Sequence, residues 1–224
     1  MNSKLSLATL VVVGLTFAQS TQAAPRPQNV LSPDAALKRL VDGNARYAAG
    51  TTKRQSFSAE RAALALGQNP FAAVLGCADS RVAPEFAFDT ARGDLFICRV
   101  AGNFAEPSSI ASLEFAVAVL KTPLILVLGH SSCGAVDSTI KAVNDGAKFP
   151  GHIPTLVKAI SPAVKKANKE KGNLLENSTA ENVRLNVEKL KGASPILKEA
   201  VKDGSLKIVG GIYHLDTGKV VLLD

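Results

Sequence analysis

Apolar positions along this chain fall into two kinds of run. Short and nearly unbroken ones, Phe71-Ala-Ala-Val-Leu-Gly76, Leu95-Phe-Ile-Cys-Arg-Val100 and Leu124-Ile-Leu-Val-Leu-Gly129, have strand length and little polar interruption. That is the pattern of strands covered on both faces of a parallel sheet. Longer stretches space their apolar residues for helices: Pro33 to Ala49, introduced by Ser32-Pro33-Asp34, Ser58 to Leu66, and Ser108 to Leu120 between the second and third strands. Ser before Pro supplies an N-cap and a first helical residue. Downstream, Ala135 to Ala147, Ile153 to Lys169, Ala180 to Leu190 and Pro195 to Val201 read as helices, punctuated by Gly151, Gly172 and Gly192. Leu206 to Ile212 and Val220 to Leu223 read as strands joined by the turn signal Asp216-Thr-Gly-Lys219. Strand, helix, strand in alternation predicts a single α/β domain with a mostly parallel central sheet flanked by helices.

The first residues break this pattern. Lys4 is followed by an uncharged apolar stretch from Leu5 to Ala18 and then by small residues through Thr21 and Ala23. The stretch is shorter than the roughly 20 residues a spanning helix needs and suits the core of a signal peptide. The expected organisation is a cleaved leader over residues 1–23, a domain over 24–224, no membrane span after processing, and export to the periplasm.

Composition narrows the chemistry. With 46% hydrophobic residues the chain has material for a core, which excludes a disordered or fibrous protein. The formal charge of +7 raises the question of nucleic acid. Yet much of the positive charge (Lys158, Lys165, Lys166, Lys169, Lys171, Arg184, Lys189, Lys191) is interleaved with Glu170, Glu176, Glu181 and Glu188, without neighbouring aromatics. This reads as solvated helix surface, and no nucleic-acid partner is expected. Three cysteines are too few for a disulfide scaffold but enough to supply metal ligands.

In an open α/β sheet, ligands bind beyond the carboxyl ends of the strands. The first strand runs into Gly76-Cys77-Ala-Asp79-Ser-Arg81 and the third into Gly129-His130-Ser-Ser-Cys133-Gly134. If those strands are neighbours, Cys77, His130 and Cys133 converge as two thiolates and an imidazole, a tetrahedral zinc site with the fourth position free. Asp79 is the local candidate for that position, but Arg81 can hold its carboxylate bidentately, keep it ionised and draw it off the metal. Cys98, inside the second strand, reads as a small buried hydrophobe. Other readings of the same residues are a Cys77–Cys133 disulfide, a non-catalytic zinc or thiol protein of the envelope, and a serine hydrolase with Ser131 on a nucleophile elbow, helped by Asp137 and His152 or His214. The last lacks the second elbow glycine, because Cys133 stands there.

The paired signatures Cys77-Ala-Asp79-Ser-Arg81 and His130-Ser-Ser-Cys133-Gly134 resemble those of the β-class carbonic anhydrases. Gly67-Gln68-Asn69-Pro70, Gly93-Asp-Leu-Phe96, Arg99-Val-Ala-Gly-Asn103 and Tyr213-His-Leu-Asp-Thr-Gly218 extend the likeness over most of the chain, from Ser32 to Val221. The resemblance implies one zinc per subunit on Cys77, His130 and Cys133, with Asp79 and Arg81 as a dyad that opens or closes the fourth position. It implies Gln68 as a substrate contact and, as the reaction, attack of zinc-bound hydroxide on carbon dioxide to give bicarbonate and a proton. It further implies a homodimer, or a dimer of dimers, with the first helix laid across the partner subunit. Two features depart from the family: there is no Trp for a non-catalytic bicarbonate site, and Phe115 stands where some members carry a channel tyrosine. His152 and His214 read as surface residues.

Overall fold

The computed structural model describes residues 31–53, 58 and 60–224. The expected leader lies outside them, as does Ala59 of the expected Ser58–Leu66 helix, of which only Arg61–Ala65 is helical. Ser32 accepts from the Ala35 N–H to cap α1 (Pro33–Ala48), and a short α2 (Arg61–Ala65) precedes β1 (Ala72–Gly76). Next come α3 (Pro84–Ala87), β2 (Leu95–Arg99), α4 (Pro107–Ala118), β3 (Leu124–His130) and α5 (Gly134–Asp145). The chain continues through α6 (Ile153–Ala167), α7 (Leu174–Gly192), α8 (Pro195–Lys202), β4 (Lys207–Tyr213) and β5 (Val220–Leu223).

The five strands form one sheet in the order β2-β1-β3-β4-β5, parallel except for the β4–β5 hairpin. Alternate strand residues feed two cores, as the pleat requires. Ala73, Leu75, Ile125 and Val127 pack against Leu113 and Ala116 of α4, Val183 and Leu190 of α7 and Leu197 of α8. Ala72, Val74, Leu124 and Leu126 face Ala36 and Leu40 of α1 and Phe88 beyond α3. Both faces are therefore covered, which is why the strands read as unbroken apolar runs.

From β1 the chain passes to β2 on one side and later returns to β3 on the other. The sheet therefore has its switch point between β1 and β3, where a crevice opens at the carboxyl ends. Two glycines let α7 lie close over this region. A Cβ on Gly129 would stand 2.7 Å from a Val183 methyl, and one on Gly210 would stand 2.6 Å from the other. The residue before His130 is thus in near contact with α7. No helix among the described residues is long and apolar enough to cross a membrane.

Two elements differ from the sequence reading. α7 begins at Leu174, six residues before the expected start, because Asn173 caps it through the Leu175 and Glu176 amides. Its first turns carry Asn177, Ser178 and Thr179, which interrupt the apolar periodicity even though Ser178 and Thr179 are buried. The four-residue α3, started by Pro84, is too short to give a periodic signal.

Candidate metal centre

β1 and β3 are adjacent and parallel, with Gly76 opposite Leu128. The next residue of one strand and the last of the other therefore carry Cys77 and His130 to the same edge. Ser132, at a left-handed φ of 55°, turns the chain so that Cys133 becomes the N-cap of α5. Each of the three offers one donor atom, and these atoms lie within 4.8 Å of one another, with all three residues buried.

Each donor has a local reason to be in its ligating form. His130 Nδ1 is 2.9 Å from the Ser131 carbonyl oxygen. A carbonyl can only accept, so Nδ1 carries a proton and, in the neutral imidazole that ligates a metal, Nε2 keeps its lone pair. Nε2 is buried without a hydrogen-bond partner. An orphaned acceptor beside two sulfurs is the arrangement a thiophilic cation such as zinc would satisfy. Cys133 hydrogen-bonds Cys77 and lowers its thiol to about 4, against the opposing effect of burial and helped by His130 and the Gly102 and Asp79 amides. The Gly102 N–H donates to Cys77 Sγ at 3.3 Å. The same contact with Cys77, then burial, pushes the Cys133 thiol far up, although the Ala135 and Val136 amides favour its thiolate.

Asp79 stands beside this trio. Arg81 grips it with Nε on Oδ1 at 2.9 Å and Nη2 on Oδ2 at 2.8 Å, and the Arg81 backbone N–H adds a third bond to Oδ1. Those bonds, Arg81's side chain first, hold the carboxyl well below the usual carboxylate range. Its Oδ2 is 3.8 Å from His130 Nε2. Arg99 steadies the whole turn by donating to the carbonyls of Cys77 at 2.8 Å and Asp79 at 2.6 Å.

Gln68 is not brought to this place. It is exposed and precedes β1, whereas Cys77 follows it. At about 3.3 Å per residue, the five-residue strand alone puts about 16 Å between its two ends, with Gln68 before the first and Cys77 after the last.

The remaining sequence candidates are accounted for elsewhere. Ser131 Oγ accepts from the Leu215 N–H at 3.0 Å, and Asp137 is paired with Lys141 at 2.7 Å. The His152 backbone caps α6. No hydrolase triad assembles among the described residues. Cys98 is half-buried against the α4 side of the core, and burial raises its thiol. Phe115 is half-exposed and packs on Phe96. His214 lines a cavity of about 310 Å³ with Ser131, Ser132 and Thr179. Sequence reasoning missed Asn103. It is 1% exposed, has a left-handed φ of 42°, and neither of its amide atoms has a partner.

With this geometry in view, the comparisons are consistent. The carbonic anhydrase family model matches residues 72–220. The chain is 42% identical over 194 residues to carbonic anhydrase 2 of Mycobacterium tuberculosis, covering 86% of this chain and 94% of that one. It is 41% identical over 192 residues to the carbonic anhydrase of Mycolicibacterium smegmatis, covering 85% and 93%. The β-carbonic anhydrase of Coccomyxa, solved in complex with acetazolamide, superposes with a TM-score of 0.65 at 29% identity, over 84% of this chain and 86% of that one. A β-carbonic anhydrase of Sordaria macrospora, described as tetrameric, gives 0.64 at 25% identity, over 71% and 83%. The chain belongs to the carbonic anhydrase family, in its β class, and is thus a lyase.

Proposed function

We propose that the protein reversibly hydrates carbon dioxide to bicarbonate and a proton, with one zinc per subunit on Cys77, His130 and Cys133. The observation that carries the reading is the buried, unpartnered His130 Nε2 facing two sulfurs at the switch point of the sheet. Zinc bound there supplies a Lewis acid that brings water to its nucleophilic form near neutral pH, an effect for which carbonic anhydrases are themselves the standard example.

The protein's own residues do the rest. The Asp79 carboxylate, kept ionised by Arg81, can only accept hydrogen bonds. It therefore takes the proton side of the nucleophilic water and leaves a lone pair for the carbon of the substrate. Released from Arg81, the same carboxylate is the nearest acid able to become a fourth donor, so the ion pair is the gate between an open and a closed site. Gln68, remote from its own centre, contacts substrate only from a second copy, which makes a symmetric homodimer the smallest complete unit. A dimer of dimers extends the same principle. Residues 1–23 export the chain to the periplasm.

Stopped-flow hydration of carbon dioxide tests the reading. Wild-type protein catalyses the reaction, and Cys77→Ser loses both zinc and turnover. Turnover retained in Cys77→Ser, or labelling of Ser131 by a serine-directed covalent probe, contradicts it.

A further inference from the structure

α7 presents polar side chains at one-turn spacing, two buried asparagines and the exposed Lys189, to the segment 102–105. Asn182 Nδ2 donates to the Gly102 carbonyl at 2.8 Å, Asn186 Oδ1 accepts from the Ala105 N–H at 2.7 Å, and Lys189 Nζ donates to the Ala105 carbonyl at 2.6 Å. The Asn186 amide also donates to the Asn182 backbone carbonyl at 2.7 Å and to its Oδ1 at 3.2 Å. The Asn182 carboxamide is thereby fixed in one orientation, oxygen toward Asn186 and nitrogen toward Gly102. Asn182 is 1% exposed and Asn186 is 6% exposed. Apolar side chains would fill that space without the cost of desolvating amides, so the specific backbone bonds are what these residues contribute.

The segment they hold needs an external clamp. Gly102 and Asn103 have consecutive left-handed φ angles of 85° and 42°, and they lie in no helix or strand. The first of them donates its N–H to Cys77 Sγ. A Cβ on Gly102 would come within 2.4 Å of Ile160, so the segment is also walled in from α6. α7 itself is seated through Val183 on Gly129, the residue before His130. One helix therefore touches the supports of two donors.

We propose that Asn182 is a positioning residue for the metal centre. By fixing the Gly102 carbonyl it holds the neighbouring peptide with its N–H aimed at the Cys77 sulfur, and so sets the direction and charge with which that sulfur donates. Outer contacts of this kind orient and tune metal ligands. The inference rests on Cys77, His130 and Cys133 being the ligands.

The test measures Zn²⁺ affinity of apo-protein by chelator competition, and the sulfur-to-metal charge-transfer spectrum of Co²⁺-loaded protein. It compares wild type with Asn182→Ala, Asn182→Asp and Val187→Ala. Asn182→Ala weakens zinc binding about tenfold to a hundredfold and shifts the charge-transfer band. Asn182→Asp keeps the shape and the acceptor for Asn186 but sets a carboxylate oxygen against the Gly102 carbonyl, so it weakens binding at least as much. This variant decides the matter if the alanine variant does not fold. Val187→Ala truncates a buried apolar side chain of the same helix, lowering Tm while leaving affinity and spectrum as in wild type. Wild-type affinity and spectrum in both Asn182 variants overturn the proposal, as does equal weakening in Val187→Ala. Wild-type protein that takes up neither Zn²⁺ nor Co²⁺ brings down the ligand assignment itself.

Discussion

Cys77, His130 and Cys133 reach the same edge, but their protons differ. Nδ1 of His130 keeps its proton on the Ser131 carbonyl, Cys77 gives its proton up easily, and Cys133 retains one because its neighbour is already charged. Zinc must displace that last proton. Affinity therefore rises with pH, by at least about tenfold per unit between about pH 6 and about pH 8. Chelator competition at several pH values checks this, and a pH-independent affinity would contradict it. Two thiolates also leave more negative charge on zinc than three imidazoles do, so hydration should accelerate toward alkaline pH. A pH–rate profile flat from acid to base would sink that expectation. Asp79→Asn keeps the size of the side chain but removes the ionised acceptor. It is expected to cost at least about tenfold in kcat/KM with zinc content unchanged, which parallel metal analysis and stopped-flow kinetics establish. Zinc loss in this variant would instead make Asp79 a resident ligand.

The strands and the two motifs at their ends were legible because both covered strands are continuous apolar runs and each motif stands at the carboxyl end of its strand. The start of α7 was not legible. The buried residues of its first turns, Ser178 and Thr179, are polar, so hydrophobic periodicity has nothing to register there, and the role of Asn182 and Asn186 further along depends on partners some 80 residues away in sequence. Asn103 escaped for a related reason, since a left-handed, unpartnered buried amide has no sequence signature. Two substitutions probe this helix. Asn173→Ala removes the cap that satisfies the Leu175 and Glu176 amides, and costs about 1 kcal/mol of stability. Gly129→Ala drives a methyl into Val183 and costs about 1–3 kcal/mol. Thermal or urea unfolding measures both, and a neutral Gly129→Ala would mean that α7 is not seated as described.

At the scale of the whole molecule, the parallel sheet places the donors at its carboxyl edge and Gln68 toward the other end of β1. That separation was implicit in the sequence, because Gln68 precedes a strand that Cys77 follows, but it becomes decisive only once β1 is seen as extended. It yields a complementation experiment. Gln68→Ala and Cys77→Ser are each expected to be inactive, yet a heterodimer of the two contains one complete site. Co-refolded in equal amounts they should recover about a quarter of wild-type activity, as random assortment in a two-fold dimer gives. No recovery would place Gln68 in the site of its own subunit, and an active Gln68→Ala would place it outside the reaction. Three of the basic residues and all three cysteines also find places at this scale. Arg81, Arg99 and Lys189 bond the site and its supporting turns. Two of the three thiols belong to the candidate metal centre, and Cys98 packs in the core.

Zinc removal and restoration, followed by stopped-flow carbon dioxide hydration, tests the central claim most directly. Chelator-treated protein should lose activity while staying folded. Activity should return in proportion to added zinc and level off at one ion per chain. Full hydration activity in protein stripped of zinc, or no activity with one zinc bound per chain, would contradict the account.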